Sequence, residues 1–170
     1  MGVKELFNRA LDLVDRSIEW LTVILMGFLL MLTFLNVVGR YVFQNSIYFS
    51  DELARFLFVW IVFLGAAIII KDKGHVAVTF ILENLKGAVS KKILETIISL
   101  CGILFIAIVF VGGWQLAASM NMYSSAALDI PMGYVYLVIP IGSAIMMIHQ
   151  LKNLIAIFKT QEDKERTGEV

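Results

Sequence analysis

Four apolar stretches dominate this chain, at roughly residues 18–39, 52–70, 93–118 and 132–156. A bilayer's hydrocarbon core is about 30 Å thick, and a helix rising about 1.5 Å per residue crosses it in about 20 residues. No water is available there to satisfy backbone N–H and C=O groups, so each such segment must satisfy them within itself. The predicted fold is an all-α integral membrane protein with four transmembrane helices, in a single domain spanning 1–170. Composition agrees, since 59% of the 170 residues are apolar against about 45–50% in a soluble domain. Mean hydropathy is +0.84.

The first stretch reads as a retained helix rather than a cleaved signal. Its apolar core is too long, acids Glu5, Asp12 and Asp15 mix with the leader's cations, and no small-residue cleavage site follows. Between the stretches the cations are sorted. Lys4, Arg9 and Arg16 precede the first span; Lys71, Lys73, Lys86, Lys91 and Lys92 lie between the second and third; Lys152, Lys159, Lys164 and Arg166 close the chain. Only Arg40 and Arg55 fall on the other side, so the positive-inside rule makes both termini cytoplasmic. Tyr41, Phe43, Tyr48, Phe49, Trp114, Tyr123, Tyr134 and Tyr136 gather at the expected outer interface, where amphipathic rings settle. Residues 3–17 carry apolar side chains at i, i+3, i+4, i+7 spacing and are expected to form an interfacial amphipathic helix. Residues 76–92 suggest a weaker interfacial segment on the cytoplasmic side, and 157–170 a polar tail.

A polar cluster separates the first two spans. Antiparallel packing would bring Arg40 to the depth of Asp51 and Glu52. Ser50 suits an N-cap, the two acids complement the helix dipole, and Asp51 stands four residues before Arg55. Asn36 lies a turn inside the bilayer, where an unsatisfied amide is expensive. One reading makes these ordinary helix-end residues with snorkelling arginines; the other makes them a polar clamp between helices or toward a partner. Trp60, two turns inside the second span, is expected to face protein. His75 follows Gly74 in the cytoplasmic loop as a surface imidazole able to make a pH-sensitive contact, and His149 stands alone near the end of the last span. Pro131 suits a first helical turn, while Pro140 removes a donor inside the last helix and should kink it near Tyr136. Gly113 and Ala117 form a small-xxx-small pair suited to close helix contact.

What the sequence lacks excludes several classes. Net charge is zero with no basic face, so nucleic acid is not an expected partner. A single cysteine, Cys101, and unpaired histidines argue against disulfide, thiolate-metal or haem chemistry, and no catalytic, cofactor or metal residue is expected. The middles of the last three spans are almost wholly apolar, whereas a pump or exchanger needs polar groups at midplane. An accessory subunit, packed against a larger membrane partner and its lipids, fits better.

Two stretches carry a resemblance to a known family. One is NVVGRYVFQNSIYFSDELARFLFVWIVFLGAAIIIKDKGHVAV, with Arg40-Tyr41, Asp51-Glu52, Arg55, Trp60, Gly65 and Gly74-His75; the other is LDIPMGYVYLVIPIG, with Pro131, Tyr136, Pro140 and Gly142. The chain resembles the small (Q-type) membrane subunit of tripartite ATP-independent periplasmic (TRAP) transporters. The resemblance implies a bacterial cytoplasmic membrane and a large membrane subunit that holds the sodium sites and moves the substrate in an elevator-like domain. It also implies a periplasmic substrate-binding protein that delivers an organic acid, such as sialic acid or a C4-dicarboxylate, with a slight lean to sialic acid. This subunit would then brace the stationary scaffold, and the polar and small residues named above would mediate helix or subunit contacts. The competing reading is a stand-alone small multidrug-type exporter acting as a homodimer; it wants an embedded carboxylate, and the nearest acids, Glu52 and Glu95, lie at helix ends.

Overall fold

The computed structural model describes residues 3–45, 47–71 and 88–167. Its helices are α1 (Val3–Val42), α2 (Ser50–Lys71), α3 (Ala88–Met120), α4 (Met132–Tyr136) and α5 (Val138–Thr167). Among the described residues four segments are long and apolar enough to cross a membrane: Leu11–Val42, Ser50–Lys71, Ile93–Met120 and Met132–Ile157. The described residues hold no strand, only an isolated antiparallel bridge between Ser124 and Pro131. The all-α, four-span architecture is that expected from the apolar stretches.

With 40 residues, α1 is about 60 Å long, and no break separates residues 3–17 from 18–39. The interfacial segment expected at 76–92 lies mostly outside the described residues; α3 already begins at Ala88. In the last span α4 and α5 part at Leu137, one turn before Pro140. Pro140 has no N–H to return to the Tyr136 carbonyl. The helical path nevertheless continues, because Leu137 N–H donates to Gly133 O at 3.0 Å and Ile141 N–H to Leu137 O at 3.2 Å.

The helices pack in the order α1, α2, α5, α3: α1 lies against α2, α2 against α5, and α5 against α3. Two small cores form along this row, one of Ile18, Leu64 and Val138 with Trp60 and Phe63 beside it, the other of Ala67, Ile106 and Met146. Close approach between α3 and α5 requires Gly113, where a Cβ would lie 2.4 Å from Ile139 Cγ2. Burial is uneven: within the most apolar 18-residue stretch of each span, 44% is buried in Met132–Ile157 but only 6% in α1 and 11% in both α2 and α3. The last span is the centre of the bundle, and the flanking helices leave most of their apolar surface uncovered.

Candidate functional site: polar clasps at both ends of the bundle

Apolar helices in lipid gain little from the hydrophobic effect when they associate, so packing and interhelical hydrogen bonds must hold them. In this chain the polar bonds gather at the two ends. At the end carrying the α1–α2 and α3–α4 loops, α1 stops in a tight reversal. Gln44 adopts φ 49°, and Phe43 and Asn45 N–H groups both return to the Gly39 carbonyl, at 3.2 and 3.0 Å. Gly39 is required here because a Cβ would sit 2.8 Å from the Asn45 carbonyl oxygen. Asn36 then ties the loop down on both sides of its amide. Its Oδ1 accepts from Ile47 N–H at 3.1 Å and its Nδ2 donates to Asp51 Oδ1 at 3.1 Å.

Arg40 does not enter this network as expected. It is exposed, and the ion pairs among the described residues join it to neither Asp51 nor Glu52. The amide of Asn36, shorter and one turn deeper, makes the cross-helix bond instead. Asp51 and Arg55 form no side-chain pair either: Arg55 Nε donates to the Asp51 backbone carbonyl at 3.2 Å. Ser50 is the first residue of α2; its hydroxyl donates back to Ile47 O at 2.7 Å, and the first-turn N–H of Leu53 returns to Phe49 O at 3.0 Å.

Glu52 has the most partners in the cluster. Its carboxylate accepts three consecutive backbone N–H groups of the α3–α4 loop: Ala126 at 3.0 Å, Ala127 at 2.7 Å and Leu128 at 3.2 Å. Successive amides converging on one anion form a nest of partial positive charge, and hydrogen bonds to an ionised acceptor are the stronger kind. Tyr48 donates its hydroxyl to Ala127 O at 2.9 Å. The loop is also closed on itself: Met132 N–H donates to Tyr123 O at 2.8 Å, Ser125 N–H to Ile130 O at 2.9 Å, and Asp129 turns the chain at φ 53°. The clamp thus joins the α1–α2 hairpin to the loop of the other hairpin, with Glu52 rather than Arg40 at its centre.

The opposite end carries a second clasp that the sequence reading missed. Asp15 on α1, 4% exposed, places Oδ1 2.9 Å from His149 Nε2 on α5 and Oδ2 3.5 Å from Lys71 Nζ on α2. Lys71 also reaches Glu19 Oε1 at 3.0 Å. Asn153 Nδ2 donates to Ile70 O at 3.0 Å, and Gln150 Nε2 to Ser99 O at 3.3 Å and Ser99 Oγ at 3.2 Å. His149, expected to stand alone, is 5% exposed and partnered. A signal existed: Asp15 falls on the α1 stripe with Leu11 and Ile18, an acid where an apolar residue is expected.

The remaining candidates are spread along the bundle. Trp60 packs beside the Ile18, Leu64 and Val138 core. Gly65 faces open space, with nothing within 4 Å of a built Cβ. Pro131 precedes α4 at its N-cap position, φ −57° and ψ 122°, one residue before the helical turn expected for it. Tyr136 ends α4 and Pro140 lies in the first turn of α5. His75 lies outside the described residues. Among the described residues no three His, Cys, Asp or Glu side chains come together as metal ligands.

A multi-pass helical membrane protein, clasped at both ends and with its outer helices uncovered, is the class these features define. The chain belongs to the family described as tripartite ATP-independent periplasmic transporters, DctQ component, whose sequence model matches residues 29–160. It is similar to a TRAP transporter small permease protein of Haemophilus influenzae, 29% identical over 86% of this chain and 92% of that one. The sialic acid TRAP transporter small permease protein SiaQ of Vibrio cholerae is 28% identical over 86% of this chain and 84% of its own. The isethionate TRAP transporter permease protein DctMQ of Oleidesulfovibrio alaskensis matches 72% of this chain at 27% identity, within 20% of its own length. The chain is therefore a TRAP small permease subunit, part of a transporter and not an enzyme.

Proposed function

We propose that this chain braces the stationary scaffold of a large TRAP permease subunit in a bacterial cytoplasmic membrane, with both termini cytoplasmic. The large subunit holds the sodium sites and carries an organic acid, sialic acid or a C4-dicarboxylate, delivered by a periplasmic binding protein to the loop end. The observation that carries this reading is the pairing of clasped ends with an uncovered apolar surface: in the most apolar stretches of the outer helices α1 and α3 only 6% and 11% are buried, and α2 is no better covered at 11%. A rigid plate with apolar sides suits an anchor against which another domain slides. The relative in which the matching region occupies 20% of a longer permease protein supports a large membrane partner. The cation distribution supports the orientation. The exporter reading is disfavoured by family membership and by Glu52, whose carboxylate is engaged by three amides and is not free in a pathway.

The test is a mild-detergent purification of the tagged chain from its native membrane, with mass spectrometry of what accompanies it. Recovery of a much larger polytopic protein near one-to-one is expected, and sodium-driven uptake of candidate acids can then be assayed on that pair. Recovery of this chain alone as a homodimer would overturn the scaffold reading in favour of the exporter.

A further inference from the structure

At the loop end α1, α2 and α4 border a cleft of about 700 Å³. Its charged lining lies at one extreme, with Glu52 and Arg55 on the first two turns of α2 and Tyr136 on α4. Its deeper wall, with Leu30 from α1 and Val59 from α2, is apolar but for Thr33, whose hydroxyl is turned back onto the Leu29 carbonyl at 2.8 Å. Leu30 is 12 residues below the α1 terminus (42 − 30) and Val59 nine below the α2 start (59 − 50), which places them about 18 and 14 Å from the helix ends. One leaflet's share of the hydrocarbon core is about 15 Å. The cleft therefore runs from headgroup depth to about the bilayer middle.

The groups at its mouth differ in what they still offer. Glu52 is engaged by three N–H groups of the α3–α4 loop. Arg55 donates through Nε to the Asp51 carbonyl, while its terminal nitrogens have no partner among the described residues; the same holds for the Tyr136 hydroxyl. A fork of guanidinium donors with a phenol beside it, set above an apolar slot, matches an anionic head on an apolar tail. We propose that this cleft is a phospholipid site, with one acyl chain along Leu30 and Val59 and the lipid phosphate on Arg55 and Tyr136. A helix laid into the same slot would bury Arg55 without an acceptor unless it brought its own acid, whereas a phosphate supplies the acceptor and the tail together.

The full chain reconstituted in nanodiscs of phosphatidylethanolamine and phosphatidylglycerol, then released into detergent, is examined by native mass spectrometry. The wild-type chain is expected to retain one phospholipid. Arg55→Gln should lower that retention about tenfold or more, as expected for a lost charge-assisted pair, and Arg55→Lys should recover part of it. Leu30→Trp, at an exposed residue that lines the slot, fills it without touching the charge and should also displace the lipid. Equal retention in Arg55→Gln and wild type overturns the proposal, as does a wild-type chain that releases all lipid. A benzophenone crosslinker at Val59 in native membranes gives an independent readout: capture of phospholipid supports the site, and capture of a helix from a larger permease overturns it.

Discussion

Removing the Glu52 carboxylate should free the α3–α4 loop without unfolding the bundle. Three amide donors lose their acceptor in Glu52→Ala, but they are not equivalent. The bond from Ala126 is exposed, so water replaces it readily; those from Ala127 and Leu128 are part-buried. Hydrogen bonds to a charged acceptor contribute about 1.5–3 kcal/mol each, and counting only the two shielded ones at the lower value gives about 3 kcal/mol. At 1.36 kcal/mol per decade this shifts the local opening equilibrium about 100-fold. Hydrogen exchange of the full chain in nanodiscs reads that shift directly. Amides 126–128 should exchange about 100-fold faster in Glu52→Ala, while those around Val138 and Met146 stay protected. Glu52→Gln should fall between, since one carbonyl oxygen remains to accept and its NH₂ group faces the same donors. Unchanged exchange at 126–128 would refute the reasoning, because the loop's own bonds from Ser125 and Met132 would then suffice.

Further perturbations separate the two clasps. Asp15→Ala leaves His149 without its partner while Lys71 keeps Glu19, and should destabilise the chain by about 3 kcal/mol, the lower end of the range for a broken buried pair. Glu19→Ala, at an exposed carboxylate, should cost under about 1 kcal/mol; thermal unfolding in detergent compares the two. Gly133→Ala would press a Cβ to 2.7 Å from Ala117 O and 2.9 Å from Asn121 Cα, both backbone atoms. It should cost about 1–3 kcal/mol. Gly65→Ala, facing open space, should leave the isolated chain unchanged or more stable by about 0.5–1 kcal/mol. If Gly65 faces a partner helix, the same variant should lose co-purification with it. Asn36→Ala removes both bonds of the α1–α2 staple and should lower the unfolding temperature measurably, while Arg40→Glu should change stability by less than about 0.5 kcal/mol.

The presence of four spans was legible because lipid imposes one simple rule on length and polarity; their ends were not, since the first span runs on into the residues before it as Leu11–Val42. Asn36 was legible for the same reason, as an amide too deep to be left unpaired. The partner of Glu52 was not. Its three donors are backbone N–H groups of Ala126, Ala127 and Leu128, and every residue but proline carries that group, so no side-chain pattern advertises it. Charge matching pointed instead to Arg40, which is exposed and, among the described residues, pairs with neither acid. The inner clasp was half legible: Asp15 broke an apolar stripe, but pairing it with His149, 134 positions away, needed the helix order α1, α2, α5 that topology alone does not specify.

The placement of the two clasps bears on how such a subunit stays rigid. Apolar side chains slide against one another in lipid with little loss, whereas a polar bond at the end of a helix has a fixed partner and a fixed register. Asn36–Asp51 and Lys71–Glu19 hold α1 to α2 at opposite ends, some 20 residues apart along α2, so α1 can neither tilt nor shift along its axis without breaking one of them. Asp15–His149 carries the same restraint into α5, and Gln150–Ser99 carries it on to α3. At the loop end Glu52 closes the circuit through the α3–α4 loop. Each helix is thus pinned at two heights or through a neighbour that is. A change at either end should therefore be felt as altered tilt at the other, and distances between spin labels at Leu13 and Met122 measured in Glu52→Ala would broaden if the circuit transmits and stay sharp if each clasp acts alone.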